Sequence, residues 1–186
     1  MHTGSDRIRQ IILSLRNFSR LDESDAKKVD VHEGIENALL LLQHQLKGGS
    51  GKAPILLIKE YGNLPEVQCY PGQLNQVFMN ILLNGVEALK ELRDQQQNFT
   101  PSITIRTQAI APDQVQIEII NNGPNIPQSI QQRIFDPFFT TKPIGQGTGM
   151  GLAISYQIIV ETHKGILRCV SEPDRETRFI IQLPIH

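Results

Sequence analysis

Two asparagines one helical turn apart, Asn80 and Asn84, stand in the run GQLNQVFMNILLNGVEALKEL. Asparagine is a mediocre helix former, so a pair at i and i+4 asks for a chemical reason. A carboxamide oxygen is a hard, neutral ligand of the kind Mg²⁺ takes when its other oxygens come from water and phosphate. A pair of exposed amides is the plainer alternative. A second set of residues lies in TTKPIGQGTGMGLAIS, where Gly145, Gly147, Gly149 and Gly151 occupy every second position and the last opens a helix. Glycines there let backbone N–H groups close on an anion, and a helix start adds orphan donors and the positive end of a dipole. Lys142, just upstream, adds a point charge. Read alone, this segment also fits a surface loop that binds nothing. It matches neither the GxxxxGK[ST] phosphate loop nor a dinucleotide fingerprint following directly on a strand. Between the two sets, IEIINNGPNIPQ is an isoleucine-rich run that stops at two asparagines, a glycine and a proline.

These groups need elements to hold them. Apolar residues at alternating spacings of three and four (Ile8, Ile11, Leu15, Phe18, with Ile12 and Leu21) predict a helix over 6–22, after a tag-like start at 1–5. A helix this short is marginal in water and needs a partner, either the body of this domain or an intermolecular bundle. DESDAKKVD reads as a charged linker. VDVHEGIENALLLLQHQLK begins extended and becomes an amphipathic helix with Asp30 or His32 near its start. PILLIKEYG alternates as a strand, and a long helix is expected from Gln73 to about Arg93. Two strands follow, SITIRTQAI and QVQIEII, then a short helix at QSIQQRIF and a helix from about Gly151 to Thr162. ILRCVSE and TRFIIQLPI, separated by PDRE, predict a closing hairpin. This order predicts a two-layer α/β sandwich with a mixed sheet and helices on one face.

The chain has 186 residues, 39% hydrophobic and 20% charged, with a formal net charge of −1. That suits one domain with a sizeable core plus an appended element. No basic stripe suits a phosphate backbone, so nucleic acid is not an expected partner. No apolar run approaches a membrane span, and a cytoplasmic protein without membrane contact from this segment is the expectation. Cys69 and Cys169 stand apart from any CxxC or Cys/His cluster, which suggests neither a zinc site nor a disulfide framework and predicts two buried thiols.

Taken together and in order, the motifs resemble those of one family. NILLNGVEA resembles the N box, INNGPNI the first glycine box, RIFDPFFTTK the F box and GQGTGMGL the second glycine box of the sensor histidine kinase ATP-binding domain. That domain belongs to the GHKL superfamily and has the Bergerat ATP-binding fold. The resemblance covers about Val29 to the C-terminus, and the catalytic domain is expected over 27–186. It implies that 6–22 is the second helix of the dimerisation and phosphoacceptor hairpin. It further implies Mg²⁺ held against ATP by Asn84, with Asn80 beside it. Asn121, Gly123, Asn125 and Ile126 would lie at the adenine, with Thr177 reaching it from the last strand. Lys142 and the backbone of Gly145, Gly147, Thr148, Gly149, Met150 and Gly151 would surround the triphosphate, with Leu152 lining the pocket. Phe135, Phe138 and Phe139 would anchor a lid, or are simply core aromatics.

ATP-hydrolysing members of the superfamily place a glutamate where this chain has Asn80. An amide does not take a proton at neutral pH, so transfer is favoured over hydrolysis. The acceptor would be a histidine on a dimerisation domain, with relay to a response regulator receiver domain and a homodimer in the full-length protein. No histidine here has the acceptor context; His32 reads as a capping or surface residue. Two departures stand out: Asn121 replaces the family's aspartate, which accepts a bond from the adenine amino group, and Asn125 replaces a glycine. A neutral acceptor is weaker than a charged one. The alternatives are a degenerate nucleotide-binding or scaffolding module, and a GHKL ATPase or anti-sigma-type serine kinase.

Overall fold

Alternating apolar and polar residues in SITIRTQAI and QVQIEIIN send Ile103, Ile105, Val115, Ile117 and Ile119 to one side of a sheet, where all are buried. The computed structural model describes residues 25–48, 53–96, 98–110, 112–142, 149–173 and 176–186. In chain order its elements are β1 (Lys27–Val29), α1 (Val31–Leu46), β2 (Leu56–Tyr61), β3 (Val67–Cys69), α2 (Pro71–Gln95), β4 (Ser102–Ile110), β5 (Gln114–Asn121), α3 (Gln128–Gln131), a 3₁₀ turn (Arg133–Phe135), α4 (Gly151–Tyr156), β6 (Ile166–Ser171) and β7 (Thr177–Pro184). A π-helical turn, Gln157–Thr162, continues α4. The helix expected at 6–22 lies outside the described residues.

The large sheet has the order β2-β4-β5-β7-β6, with β2 parallel to β4 and every other pair antiparallel, which is the expected mixed sheet. The apolar faces of α1 and α2 share one core with its inner side, where Ile35, Phe78, Ile81 and Leu82 meet Ile103, Ile117 and Ile181. The outer side carries a polar ladder in register. Arg106 donates to Glu60 at 2.6 Å and to Glu118 at 3.4 Å; Gln116 donates to Glu118 at 2.8 Å and Gln182 to Gln116 at 2.7 Å. Opposite charges on adjacent strands let this face do without a covering layer of helices.

Several expectations need correction. The charged linker contains β1, which pairs antiparallel with β3 as a separate two-stranded sheet, Lys28 opposite Gln68. The long helix starts at Pro71, two residues before Gln73; proline suits a first turn because its missing N–H has no intrahelical partner there. Asp30 alone caps α1, its Oδ1 accepting from the His32 amide at 2.9 Å. The His32 ring is neither a cap nor a free surface group: it stacks on Tyr61 and its Nε2 lies 2.8 Å from Thr107 Oγ1. Cys69 is buried but Cys169 only partly so; burial pushes the two thiols up to about 11 and about 12 respectively, and both are free.

His163, at the end of the π turn, ties α4 to the start of α2. Its Nε2 accepts from the Tyr70 amide at 3.0 Å, so its proton sits on Nδ1, which donates to the Ile158 carbonyl at 2.8 Å. Burial lowers its pKa from 6.5. Above 6.5 the ring is neutral in both folded and unfolded chains; below it the unfolded chain takes the proton first, so stability falls with pH toward the lowered folded value. Urea midpoints at about pH 7.5 and about pH 5.5 should therefore differ more for the unmutated chain than for His163→Gln. Equal differences would show that the ring does not titrate with unfolding.

Candidate active site

The site is built where α2, α4 and the ends of β5, β6 and β7 meet. On the core face, Asn121 of β5 pairs with Thr177 of β7, and Thr177 with Ser171 of β6. This is a polar row at the edge of a largely apolar layer, and all three residues are buried. Buried polar groups must find partners, and these do. Ser171 donates to Asn125 Oδ1 at 2.9 Å and accepts the Ile126 amide at 3.0 Å, while its oxygen lies 2.8 Å from Thr177 Oγ1. The Thr177 hydroxyl is also 3.3 Å from the Pro124 carbonyl. Asn125, Ile126 and Thr177 are thus joined through a serine that carries no periodic or motif signal of its own. Asn122 secures the turn from outside, accepting from the Ser102 amide at 2.7 Å and donating to Thr100.

At Gly123 the chain passes close to a side chain. A Cβ there would stand 2.7 Å from Asn121 Oδ1, the atom that accepts the Gly123 amide at 3.0 Å. A Cβ here would force the buried Asn121 side chain to shift; the φ of Gly123 is not positive, so it is this approach that favours glycine. Gly85, inside α2, faces the other end of the same amide: a Cβ there would lie 3.5 Å from Asn121 Nδ2. A glycine within a helix costs about 1 kcal/mol relative to alanine. That interruption was the available sequence signal for Gly85, which the motif reading passed over.

The two helix asparagines have different duties. Asn80 Nδ2 donates to the Gly151 carbonyl at 2.9 Å and lies 3.2 Å from Ser155 Oγ, which itself donates to Gly151. It is a clamp that fixes the first turn of α4. Asn84, a turn further on, is half-buried, and its side chain makes no hydrogen bond with another described residue. Near it on α2, Glu87 forms an ion pair with Lys142. Gly149 stands just before α4 at φ 65°, and its carbonyl accepts from Phe138 at 2.9 Å. Met150 precedes the first residue of α4, and Leu152 packs on the core. Gly145, Gly147 and Thr148 lie outside the described residues.

The aromatic trio divides. Phe135 meets Tyr156 with ring centroids 5.5 Å apart, and Phe139 lies beneath Arg133 at 4.8 Å. Phe138 is 75% exposed and has φ 65°, so its ring anchors nothing among the described residues; its backbone does.

A carboxamide bonded to a helix start, a basic side chain near it and a polar row on the sheet thus lie at one end of the fold. Residues 69–186 match the model of the histidine kinase-, DNA gyrase B- and HSP90-like ATPase family, and the chain belongs to that family. Within it, relatives of this chain include sensor histidine kinases. The signal transduction histidine-protein kinase AtoS of Escherichia coli (strain K12) is 36% identical over 182 residues, covering 97% of this chain and 28% of its own length. The sensory histidine kinase/phosphatase NtrB of Rhodobacter capsulatus is 31% identical, covering 96% of this chain and 49% of its own. The catalytic domain of histidine kinase ThkA, in a nucleotide-free form, superposes with a TM-score of 0.72 at 26% identity, covering 87% of this chain and 96% of that one. The chain thus spans between a quarter and a half of these two curated relatives. Among the described residues no helix is long and apolar enough to cross a membrane.

Proposed function

We propose that this domain binds Mg-ATP and transfers its γ-phosphoryl group to a histidine on a dimerisation domain, for relay to a response regulator. The observation that carries the reading is the commitment of Asn80. The position where hydrolysing relatives resemble one another in carrying a glutamate holds an amide whose Nδ2 is bonded to Gly151 and lies against Ser155. An amide so placed neither accepts a proton nor orients water as a base. Phosphoryl transfer asks little covalent chemistry of the protein; it asks for positioning and charge neutralisation.

The residues present fit a magnesium ion. Asn84 offers an unpartnered carboxamide oxygen, and the described residues contain no cluster of three His, Cys, Asp or Glu that would encase a metal. A single protein oxygen with phosphates and water is the ordinary arrangement for this ion. When bound, it would neutralise phosphate charge. The chain's own part is to seat the base against Asn121, Gly123 and the Ser171–Thr177 pair, and to bring the backbone amides at the start of α4, Gly151 and Leu152, with Met150 beside them, to the phosphates. Gly145, Gly147 and Thr148 would add backbone donors, and Lys142 would exchange Glu87 for phosphate oxygen. The ion pair with Glu87 is partly exposed, and such pairs contribute only about 0–1 kcal/mol, so the exchange is inexpensive. The partners are the phosphoacceptor domain and receiver domain of the same pathway, with the full-length protein a homodimer.

The test supplies the matching phosphoacceptor hairpin in trans with labelled ATP and Mg²⁺. Acid-labile label should appear on histidine of the hairpin, faster than inorganic phosphate is released. Absence of both nucleotide binding and label would overturn the proposal.

A further inference from the structure

The buried amide at the end of β5 presents a hydrogen-bond donor where the family resemblance calls for an acceptor. Asn121 is 5% exposed, and its Oδ1 accepts the Gly123 amide at 3.0 Å. A backbone N–H requires an oxygen opposite it, so this bond settles which end of the carboxamide is which. Nδ2 therefore lies on the side of Gly85, where the absent Cβ leaves it uncovered. No described residue accepts from Nδ2. It is not among the fully buried atoms lacking a partner, which are Gln73 Oε1 and Arg93 Nε, so it keeps surface that a ligand can reach. Asn121 is thus more than nine-tenths buried, with the N–H donors of Nδ2 given to no described residue and one lone pair of Oδ1 still free.

We infer that Asn121 lets the pocket accept 6-oxopurine triphosphates alongside ATP, an inference that rests on the proposed seating of the base at this residue. Adenine presents an N6–H donor beside the N1 acceptor. Hypoxanthine and guanine present the O6 acceptor beside an N1–H donor. An ionised carboxylate only accepts; it meets the adenine amino group but sets its lone pairs against O6. The carboxamide serves both edges. With Oδ1 held by the Gly123 amide the carboxamide need not turn over: Nδ2 donates to N1 of adenine, with the second lone pair of Oδ1 accepting from N6–H, or donates to O6 of a 6-oxopurine. Discrimination between purines arises chiefly from groups left unpaired against the wrong one, and here the buried Nδ2 donor finds an acceptor on either base. Replacing aspartate by asparagine thereby exchanges selectivity for tolerance.

The probe is ITP, which differs from ATP at this edge without the extra amino group of guanine. Dissociation constants for ATP and ITP, with Mg²⁺, are measured by calorimetry on this chain and on Asn121→Asp. On the unmutated chain the two should agree within about fivefold, and in Asn121→Asp ITP should weaken relative to ATP by about tenfold or more. Rejection of ITP by more than about tenfold on the unmutated chain, or the same ratio in both proteins, overturns the inference while leaving ATP binding standing. Failure of both nucleotides to bind overturns the proposed function and this inference with it. Should Asn121→Asp not fold, as judged by circular dichroism, the ratio on the unmutated chain alone decides.

Discussion

Asn84→Ala is expected to slow phosphoryl transfer to a phosphoacceptor hairpin by about 100-fold or more while leaving the thermal midpoint unchanged or slightly raised. The two halves of that result have separate causes. Asn84 is half-buried and its side chain is bonded to no other described residue, so truncating it breaks nothing that holds the fold. Alanine is the better helix former by up to about 0.7 kcal/mol, which favours α2. Function loses the one carboxamide oxygen proposed to hold the metal against the phosphates, and a 100-fold loss corresponds to about 2.7 kcal/mol of transition-state stabilisation. Asn80→Ala is the informative contrast. It removes the bond to Gly151 and the contact with Ser155, so it should lower the thermal midpoint as well as the rate. Initial rates of label transfer and melting curves on the two variants separate a ligand from a clamp. An Asn84→Ala rate within about threefold of the unmutated chain would remove Asn84 from the metal site.

That contrast marks the limit of what the sequence discloses. The i, i+4 spacing of Asn80 and Asn84 was readable because helix geometry puts such residues on one face. Which of them a ligand would find unoccupied was not readable, because Gly151 and Ser155 reach Asn80 from about seventy residues away. The central strands were legible from alternation, and so was the mixed sheet from the order of elements. The pairing of β1 with β3 was not: each has three residues, Lys27 and Lys28 look like linker, and their partners lie some forty positions on. Ser171 became part of the site only through register, since it must stand opposite Thr177 to touch Asn125 and Ile126. Lys142 was expected as a cation beside the glycines, but its pairing with Glu87 of α2, fifty-five positions earlier, was not readable. Phe138 was misjudged for a related reason: aromatic residues predict burial on average, and a backbone at φ 65° turns this one outward.

The same backbone feature gives the second large effect, on Gly149. Phe138 and Gly149 both have φ 65°, and the Phe138 amide donates to the Gly149 carbonyl at 2.9 Å, closing the chain on itself between them. A Cβ on Gly149 would fall 2.5 Å from the Phe138 carbonyl carbon and 2.7 Å from its Cα and oxygen. These are backbone atoms, so no rotamer relieves the contact. Left-handed backbone adds about 1–2 kcal/mol for a residue with a Cβ. Gly149→Ala must therefore break the closure, and the displaced segment runs directly into Met150 and the first turn of α4, whose amides are proposed to meet the phosphates. We expect Mg-ATP affinity to fall about 30-fold or more, with the core of α1, α2 and the sheet retained. Phe138→Ala, which removes a ring that is 75% exposed and keeps the amide bond, should change affinity by less than about threefold. Calorimetric titration of both variants, with circular dichroism to register the fold, distinguishes closure by backbone from anchoring by ring. The opposite ranking, with Phe138→Ala the weaker binder, would return the anchor to the aromatic side chain.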